Sequence, residues 1–304
     1  MEENNRKPSA VDLGASGKKG VSRRDFLKFC GLVTAALGLD ATLIPKVARA
    51  LTGPRPPIVW LHFAECTGCT ESFLRSSNPF VADMLLGTLS VEYHETIMAA
   101  SGEAATARLK NALTQYAGQF ICICEGAIPT AENGIYGMIG NKTMLQIAKD
   151  VCPKAKAVIS LGTCASFGGM PGAVGNLTGA TGVHAALGGF PTINISGCPP
   201  NPVNLVATIV NYLLANTFPA LDSLGRPLFA YGATNHKACP RRDHDNCLRG
   251  FGCRGPETYH NCPTVKYNDA KSWPVQADAP CYGCSMPDFF DKGSFFNYNG
   301  HYGD

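Results

Sequence analysis

The sequence predicts an α/β fold: an open, doubly wound parallel sheet with helices on both faces, followed by a small, irregular region that needs metal to order it. Two observations predict this. Between Ile58 and about Asn216, short apolar runs alternate with helical patterns. After Tyr231 the chain turns to Gly, Pro, Asn and Cys with little periodicity, and such a stretch of about 70 residues cannot build a large apolar core.

The runs Ile58 to Phe63, Val91 to His94, Phe120 to Cys124, Ala157 to Leu161 and Thr192 to Ser196 read as strands buried on both faces. Glu103 to Tyr116 and Lys142 to Val151 carry helical patterns. Pro199-Pro200-Asn201-Pro202 signals the start of another helix over Val203 to Leu214. Ligands of open parallel sheets gather outside the carboxyl ends of the strands. Cys66 and Cys69 follow the first of these strands, Cys164 the fourth and Cys198 the fifth, so four cysteines distant in sequence are expected at one edge.

The N-terminus changes how the 14 cysteines are read. Ser22-Arg23-Arg24-Asp25-Phe26-Leu27-Lys28 has the twin-arginine pattern, an apolar stretch from Phe29 to Leu39 follows, and Ala48-Arg49-Ala50 ends it. Residues 1–50 are expected to be a cleaved export signal, and the mature chain to work in the periplasm. The apolar stretch is far short of the ~20 residues a spanning helix needs, and no later segment is long enough either, so no transmembrane anchor is expected. Residues 1–50 hold nine of the 26 Lys and Arg and five of the 23 Asp and Glu, which leaves 17 basic against 18 acidic groups. A net charge near −1 gives no footprint for nucleic acid. An exported cysteine-rich chain is ordinarily a disulfide scaffold, but a mature chain of this length buries its own core without staples.

Ten cysteines and one histidine fall into three sets. Cys66-x-x-Cys69 with Cys164 and Cys198 offers four thiolates, which suit zinc or a 4Fe-4S cluster, and glycines and prolines flank every ligand. His236-x-x-Cys239 with Cys247 and Cys253 suits, in isolation, a Cys3His zinc site. Cys262 and Cys281-x-x-Cys284 offer only three thiolates, with Trp273-Pro274 where a fourth would come, which suits a 3Fe-4S cluster better than closed zinc. Three soft sites in succession point to an electron wire. Cys122, Cys124 and Cys152 are left as small buried hydrophobes. Lys237, Arg241, Arg242, Arg249 and Arg254 outnumber Asp243 and Asp245 near the second set, which reads equally as a docking patch and as a solvated surface. His62, His94, His184, His244, His260 and His301 show no partner pattern. The aromatic tail from Asp288 to Asp304 packs either on a neighbour or back on its own domain.

These residues carry a family resemblance along nearly the whole chain. Glu65-Cys66-Thr67-Gly68-Cys69, Glu125-Gly126-Ala127-Ile128-Pro129, Gly162-Thr163-Cys164, Gly197-Cys198-Pro199-Pro200-Asn201-Pro202, Asn261-Cys262-Pro263 and Trp273-Pro274-Val275-Gln276 together resemble the small subunit of periplasmic nickel-iron hydrogenases. The resemblance implies a flavodoxin-like domain over 51–231 that binds a proximal 4Fe-4S cluster through Cys66, Cys69, Cys164 and Cys198. It implies a C-terminal domain over 232–304 with a distal 4Fe-4S cluster on His236, Cys239, Cys247 and Cys253 and a medial 3Fe-4S cluster on Cys262, Cys281 and Cys284. The implied activity is electron transfer for a hydrogenase that interconverts H2 with protons and electrons. Its catalytic nickel-iron centre would lie in a partner large subunit, so this chain alone would not catalyse. The implied acceptor is a multihaem cytochrome c or a membrane cytochrome subunit. Glu65 and Thr67 match residues near the proton route at the subunit interface, while Glu125, at the end of the third strand beside the cluster edge, reads either as an interface residue or as a simple helix or loop cap. Gly68 and Gly169 stand where oxygen-tolerant relatives carry extra cysteines, which implies an oxygen-sensitive enzyme. The chain departs from the family between Cys239 and Cys247, where only seven residues intervene and many relatives have a longer loop. The alternatives are a related cluster-binding subunit of quinone oxidoreductases and an exported zinc- or disulfide-stabilised binding protein.

Overall fold

The computed structural model describes residues 23–53, 56–75, 90–267 and 271–292. Five strands form one parallel sheet: β1 (Pro57–His62), β2 (Ser90–His94), β3 (Ile121–Glu125), β4 (Ala157–Leu161) and β5 (Ile193–Ile195), in the order β2-β1-β3-β4-β5. This is the flavodoxin-like order, with its switch point between β1 and β3. Among the described residues the helices of six or more residues are α1 (Arg23–Ala36), α2 (Ile44–Thr52), α3 (Gly68–Leu74), α4 (Gly102–Gln115), α5 (Met144–Val151), α6 (Gly162–Phe167) and α7 (Pro202–Ala215).

Alternation along each strand builds two cores, because successive side chains leave a strand on opposite faces. Ile58, Trp60, Ile121, Ile123, Ile159, Leu161 and Ile193 pack beneath α7. Val59, Leu61, Cys122, Cys124 and Val158 pack on the other face against Ala112 of α4 and Leu145, Ile147, Ala148 and Val151 of α5. Both faces are covered, which is why the strands are apolar at nearly every position. Cys122, Cys124 and Cys152 sit fully buried in the second core, with sulfur contacts of 3.7 and 3.9 Å, and every cysteine in the chain is unbridged.

Most element ends move by a residue or so, and two helix starts move for an identifiable cause. α5 begins at Met144, not Lys142, because Lys142–Thr143 pairs with Met138–Ile139 as a short hairpin and Thr143 caps the helix, its Oγ1 accepting from Gln146 N at 3.0 Å. α7 starts one residue early, with Pro202 in its first turn and the Asn201 side chain accepting from Val203 N at 3.0 Å. The apolar leader forms α1, and α2 follows it. Phe29, Cys30, Val33, Val47 and Leu51 are buried in the same core as Val206, Ile209 and Val210 of α7. Ala50, the expected cleavage point, lies inside α2, so cutting there requires that helix to open.

Beyond Tyr231 the described chain has no helix longer than four residues, and its apolar core is small: Cys262, Trp273, Val275 and Cys281. It is tied to the sheet domain by polar contacts. The Asn204 and Asn261 amides bond reciprocally at 3.1 and 2.9 Å, Tyr267 Oη donates to Pro199 O at 3.2 Å, and Arg226 Nη1 donates to Ser285 O at 3.2 Å. Of the aromatic tail, Phe289 is buried, and the Asp291 carboxylate accepts from Val174 N at 2.8 Å, so this part folds back on its own chain. The rest of the tail lies outside the described residues.

Asn204 is fully buried, so Asn204→Ala leaves the Asn261 amide unpaired in the interior. The expected cost is about 1–3 kcal/mol, read as a lower thermal midpoint and faster proteolysis after residue 231 in the intact protein. An unchanged midpoint would mean the two regions are held by other contacts.

Candidate electron-transfer centres

β1 and β3 end side by side and shape the first site. Phe63 N donates to Glu125 O at 2.8 Å, and Ala64 and Ala127 exchange backbone bonds at 2.9 Å each. Gly126, at φ +92°, lets the two loops approach: a Cβ there would lie 2.8 Å from Ala64 O. The Glu125 carboxylate is buried and collects four donors, Trp60 Nε1 at 3.2 Å, Cys69 N at 3.1 Å, Thr70 N at 3.2 Å and Thr70 Oγ1 at 2.6 Å. It therefore fixes the first turn of α3, which carries Cys69.

Cys66 precedes α3, Cys164 lies in α6 directly after β4, and Cys198 follows β5, so the four cysteines meet at the carboxyl edge. Burial pushes the Cys69 thiol well up, and the Glu125 carboxylate, Cys164, Cys198 and Cys66 push it further. Burial, and then Cys198, raise Cys164 to about 12, and burial raises Cys198 to about 11. Thiols pushed up in this way become thiolates only around a strong positive charge. Glycines make the room. A Cβ on Gly162 (φ +90°) would sit 2.5 Å from Cys69 Sγ, and one on Gly169 would sit 2.6 Å from Cys164 Sγ.

The third set, Cys262, Cys281 and Cys284, lines a cavity of ≈ 330 Å³ together with Trp273, Pro274 and, from the first set, Cys198. That space is far larger than one ion fills. Burial pushes Cys262 well up, with Cys284 and Cys281 adding to it, and burial raises Cys284 to about 11 against the backbone N–H of Cys198. Thr163 Oγ1, next to Cys164, also donates to Cys284 O.

The second set lies outward. His236 and Cys239 bracket one short turn, Cys239 N donating to His236 O at 3.2 Å, while His236 N donates to Gly255 O at 3.0 Å and Cys253 N to Leu248 O at 3.2 Å. Burial raises Cys253, with Cys281 and Cys239 adding to it. Cys281 N donates to Cys253 Sγ at 3.3 Å. Cys247 stands apart in character: the backbone N–H of Arg249 leads the contacts that lower its thiol. The residues around Cys247 are exposed, Phe251 among them.

Among the described residues, three or more ligand atoms gather within 4.8 Å of one another at two places, Cys122/Cys124/Cys152 and His62/Glu65/Glu125, and neither is one of the three sets. Tetrahedral zinc with Zn–S of about 2.3 Å would hold its sulfurs about 3.8 Å apart. Among the described residues, no three ligand atoms of any one of the three sets lie that close together.

Several histidines and arginines are placed in ways their spacing did not foretell. His62 Nδ1 lies 3.1 Å from Glu65 Oε1, which also accepts from Thr67 Oγ1 at 3.2 Å. His62 stacks beside His94 with ring centroids 4.8 Å apart, and burial pushes His94 down to about 3. His260 Nδ1 lies 3.0 Å from Cys262 Sγ. The basic stretch is largely paired: Arg241 with Asp278, Arg242 and Arg249 with Asp243 at 3.0 and 3.7 Å, Arg254 with Glu257 and, at 2.8 Å, with Asp288. That pairing favours the solvated surface over a strongly positive docking patch.

With this geometry in view, comparison with known proteins is informative. Residues 66–212 match the family of the 20 kDa subunit of NADH ubiquinone oxidoreductase, and residues 231–297 match the C-terminal family of NiFe/NiFeSe hydrogenase small subunits. Small subunit 1 of the periplasmic [NiFe] hydrogenase of Nitratidesulfovibrio vulgaris is 50% identical over 94% of this chain and 98% of its own length. The hydrogenase-2 small chain of Escherichia coli is 40% identical over 90% and 79%. Among solved structures, the oxidised [NiFeSe] hydrogenase of Desulfovibrio vulgaris Hildenborough superposes with a TM-score of 0.74 at 38% identity, over 81% of this chain and 98% of that one.

Gly162→Ala places a methyl group against Cys69 Sγ and is expected to abolish metal binding at the first site, measured as a loss of iron and labile sulfide. Gly175→Ala carries a similar backbone penalty at φ +88° but meets nothing within 4 Å, and should keep its full metal content.

Proposed function

The chain belongs to the small-subunit family of nickel-iron hydrogenases, and from that premise we propose that it carries electrons through three iron-sulfur clusters between its large subunit and an external acceptor. It works as part of a hydrogenase heterodimer. In our reading residues 1–50 are a twin-arginine export signal, 51–231 hold the proximal cluster and 232–304 the other two. The mature chain acts in the periplasm, the compartment in the names of its relatives from Nitratidesulfovibrio vulgaris and Solidesulfovibrio fructosivorans.

Cys66, Cys69, Cys164 and Cys198 hold a proximal 4Fe-4S cluster; Cys262, Cys281 and Cys284 a medial 3Fe-4S cluster; His236, Cys239, Cys247 and Cys253 a distal 4Fe-4S cluster. Bound there, the clusters supply one-electron oxidation and reduction. One observation carries the order. The first set adjoins the third, since Cys198 lines the medial cavity and Thr163, next to Cys164, donates to Cys284 O, and the third touches the second, through Cys281 N to Cys253 Sγ at 3.3 Å. Each junction is a short covalent path closed by a hydrogen bond, which couples neighbouring centres better than open space does.

The chain's own residues perform the remaining tasks. Glu125 holds α3 so that Cys69 faces the site, Gly162 and Gly169 keep the sulfurs clear, and Trp273 and Pro274 wall the medial cavity. Glu65 and Thr67, bonded at 3.2 Å beside Cys66, are the pair that would pass a proton at the subunit boundary. Electrons leave past Cys247 and His236 to a multihaem cytochrome c or a membrane cytochrome subunit. The match over residues 231–297 supports this reading over a quinone-oxidoreductase subunit. Membership of the nickel-iron hydrogenase small-subunit family speaks against a zinc- or disulfide-stabilised binder.

Conduction is separable from catalysis. Cys253→Ala in the intact heterodimer is expected to cut H2-dependent reduction of a protein acceptor at least tenfold while leaving H2/D2O isotope exchange near the wild-type rate, because exchange needs no electron exit. Equal loss of both would place Cys253 in folding or assembly instead.

A further inference from the structure

The walls of the medial cavity hold two buried polar residues whose bonding is one-sided. His260 and Asn235 are each 2% exposed. His260 Nδ1 lies 3.0 Å from Cys262 Sγ, and its Nε2 is buried with no partner. Asn235 Nδ2 donates to Cys281 Sγ at 3.6 Å, and its Oδ1 is likewise buried and unpaired. A thiolate ligand only accepts, so Nδ1 carries the imidazole proton and Nε2 is left as a bare acceptor. Each residue thus spends one polar atom on a cysteine sulfur and leaves the other unpaired, a desolvation cost that an apolar residue of similar shape would avoid. Packing alone gives no reason for either. The ring of His260 is held edge-on against Tyr231, 5.1 Å between centroids, so its Nδ1 cannot swing away from the sulfur without breaking that contact.

We propose that His260, with Asn235, sets the reduction potential of the medial centre by donating hydrogen bonds to the sulfurs of Cys262 and Cys281. The proposal rests on the reading of Cys262, Cys281 and Cys284 as cluster ligands. Its sign follows from charge: an N–H aimed at a ligand sulfur stabilises the state that holds the extra electron, so these donors raise the potential. Both are positioning residues that act on the centre through its ligands.

The test is a potentiometric titration of the oxidised 3Fe-4S resonance in the anaerobically purified heterodimer. His260→Phe is expected to lower the midpoint by a shift equivalent to about tenfold in the reduction constant, which is about 59 mV for one electron. His260→Asn, whose amide nitrogen falls near Nδ1, should restore most of it, and Asn235→Leu should give a smaller shift of the same sign. Where His260→Phe fails to load the site, wild-type complex grown with 15N-histidine decides: the medial spin is expected to couple to a histidine nitrogen, and oxidised 4Fe-4S centres are silent. A midpoint unmoved by His260→Phe, or no histidine coupling in the wild type, overturns the proposal. A wild-type heterodimer with no 3Fe-4S resonance at all overturns the medial assignment itself, and this proposal with it.

Discussion

The whole structure turns on a charge problem at the carboxyl edge of one sheet. Cys66, Cys69, Cys164 and Cys198 arrive from three different strands at one place, where burial and neighbouring thiolates push the thiols of Cys69, Cys164 and Cys198 up and the Glu125 carboxylate adds to the repulsion on Cys69. Only a compact cationic group makes four thiolates stable there. The switch point between β1 and β3 creates the crevice, Gly126 brings the two loops together, and Gly162 and Gly169 leave the volume that a side chain would fill. What the motifs share is backbone geometry and space as much as ligand identity.

The same constraint explains the region after Tyr231. Its apolar core is four residues with a few half-buried neighbours, too little to order some 60 described residues, and its turns are wound around Cys239, Cys253, Cys262, Cys281 and Cys284. Polar ties such as Asn204–Asn261 and Arg226–Ser285 dock it on the sheet domain, and they place the third set of cysteines between the first and second. The position of the third set between the other two is therefore a consequence of docking. An electron-carrying subunit needs this kind of closeness, since the function of each centre is set by its neighbours.

Much of this was legible in the sequence. The inner strands were readable because burial on both faces makes them apolar at nearly every position, and α7 because Asn201 and Pro202 carry its start signal. The convergence of the four cysteines followed from strand ends alone. What escaped reading was what depends on three-dimensional neighbours. Lys142 belongs to a hairpin whose partner strand is only two residues long, too short to leave a pattern. His62 and His260 have no spacing signature, because their partners Glu65 and Cys262 are met through loop geometry. The arginines near the second set read in sequence as a patch or a solvated surface, and two of the partners that decide it, Asp278 for Arg241 and Asp288 for Arg254, lie more than 30 residues away. The docking of α1 and α2 on α7 was likewise invisible in a leader read only as a leader.

The central claim is that three multi-iron centres lie in a row along this chain. The most direct measurement is anomalous diffraction on crystals of the anaerobically prepared heterodimer, recorded on both sides of the iron absorption edge. The account predicts three compact iron peaks, at Cys66/Cys69/Cys164/Cys198, at Cys262/Cys281/Cys284 and at His236/Cys239/Cys247/Cys253, with the middle one resolving into three irons. Single-ion peaks, peaks that persist below the iron edge, or a site without anomalous density would contradict it.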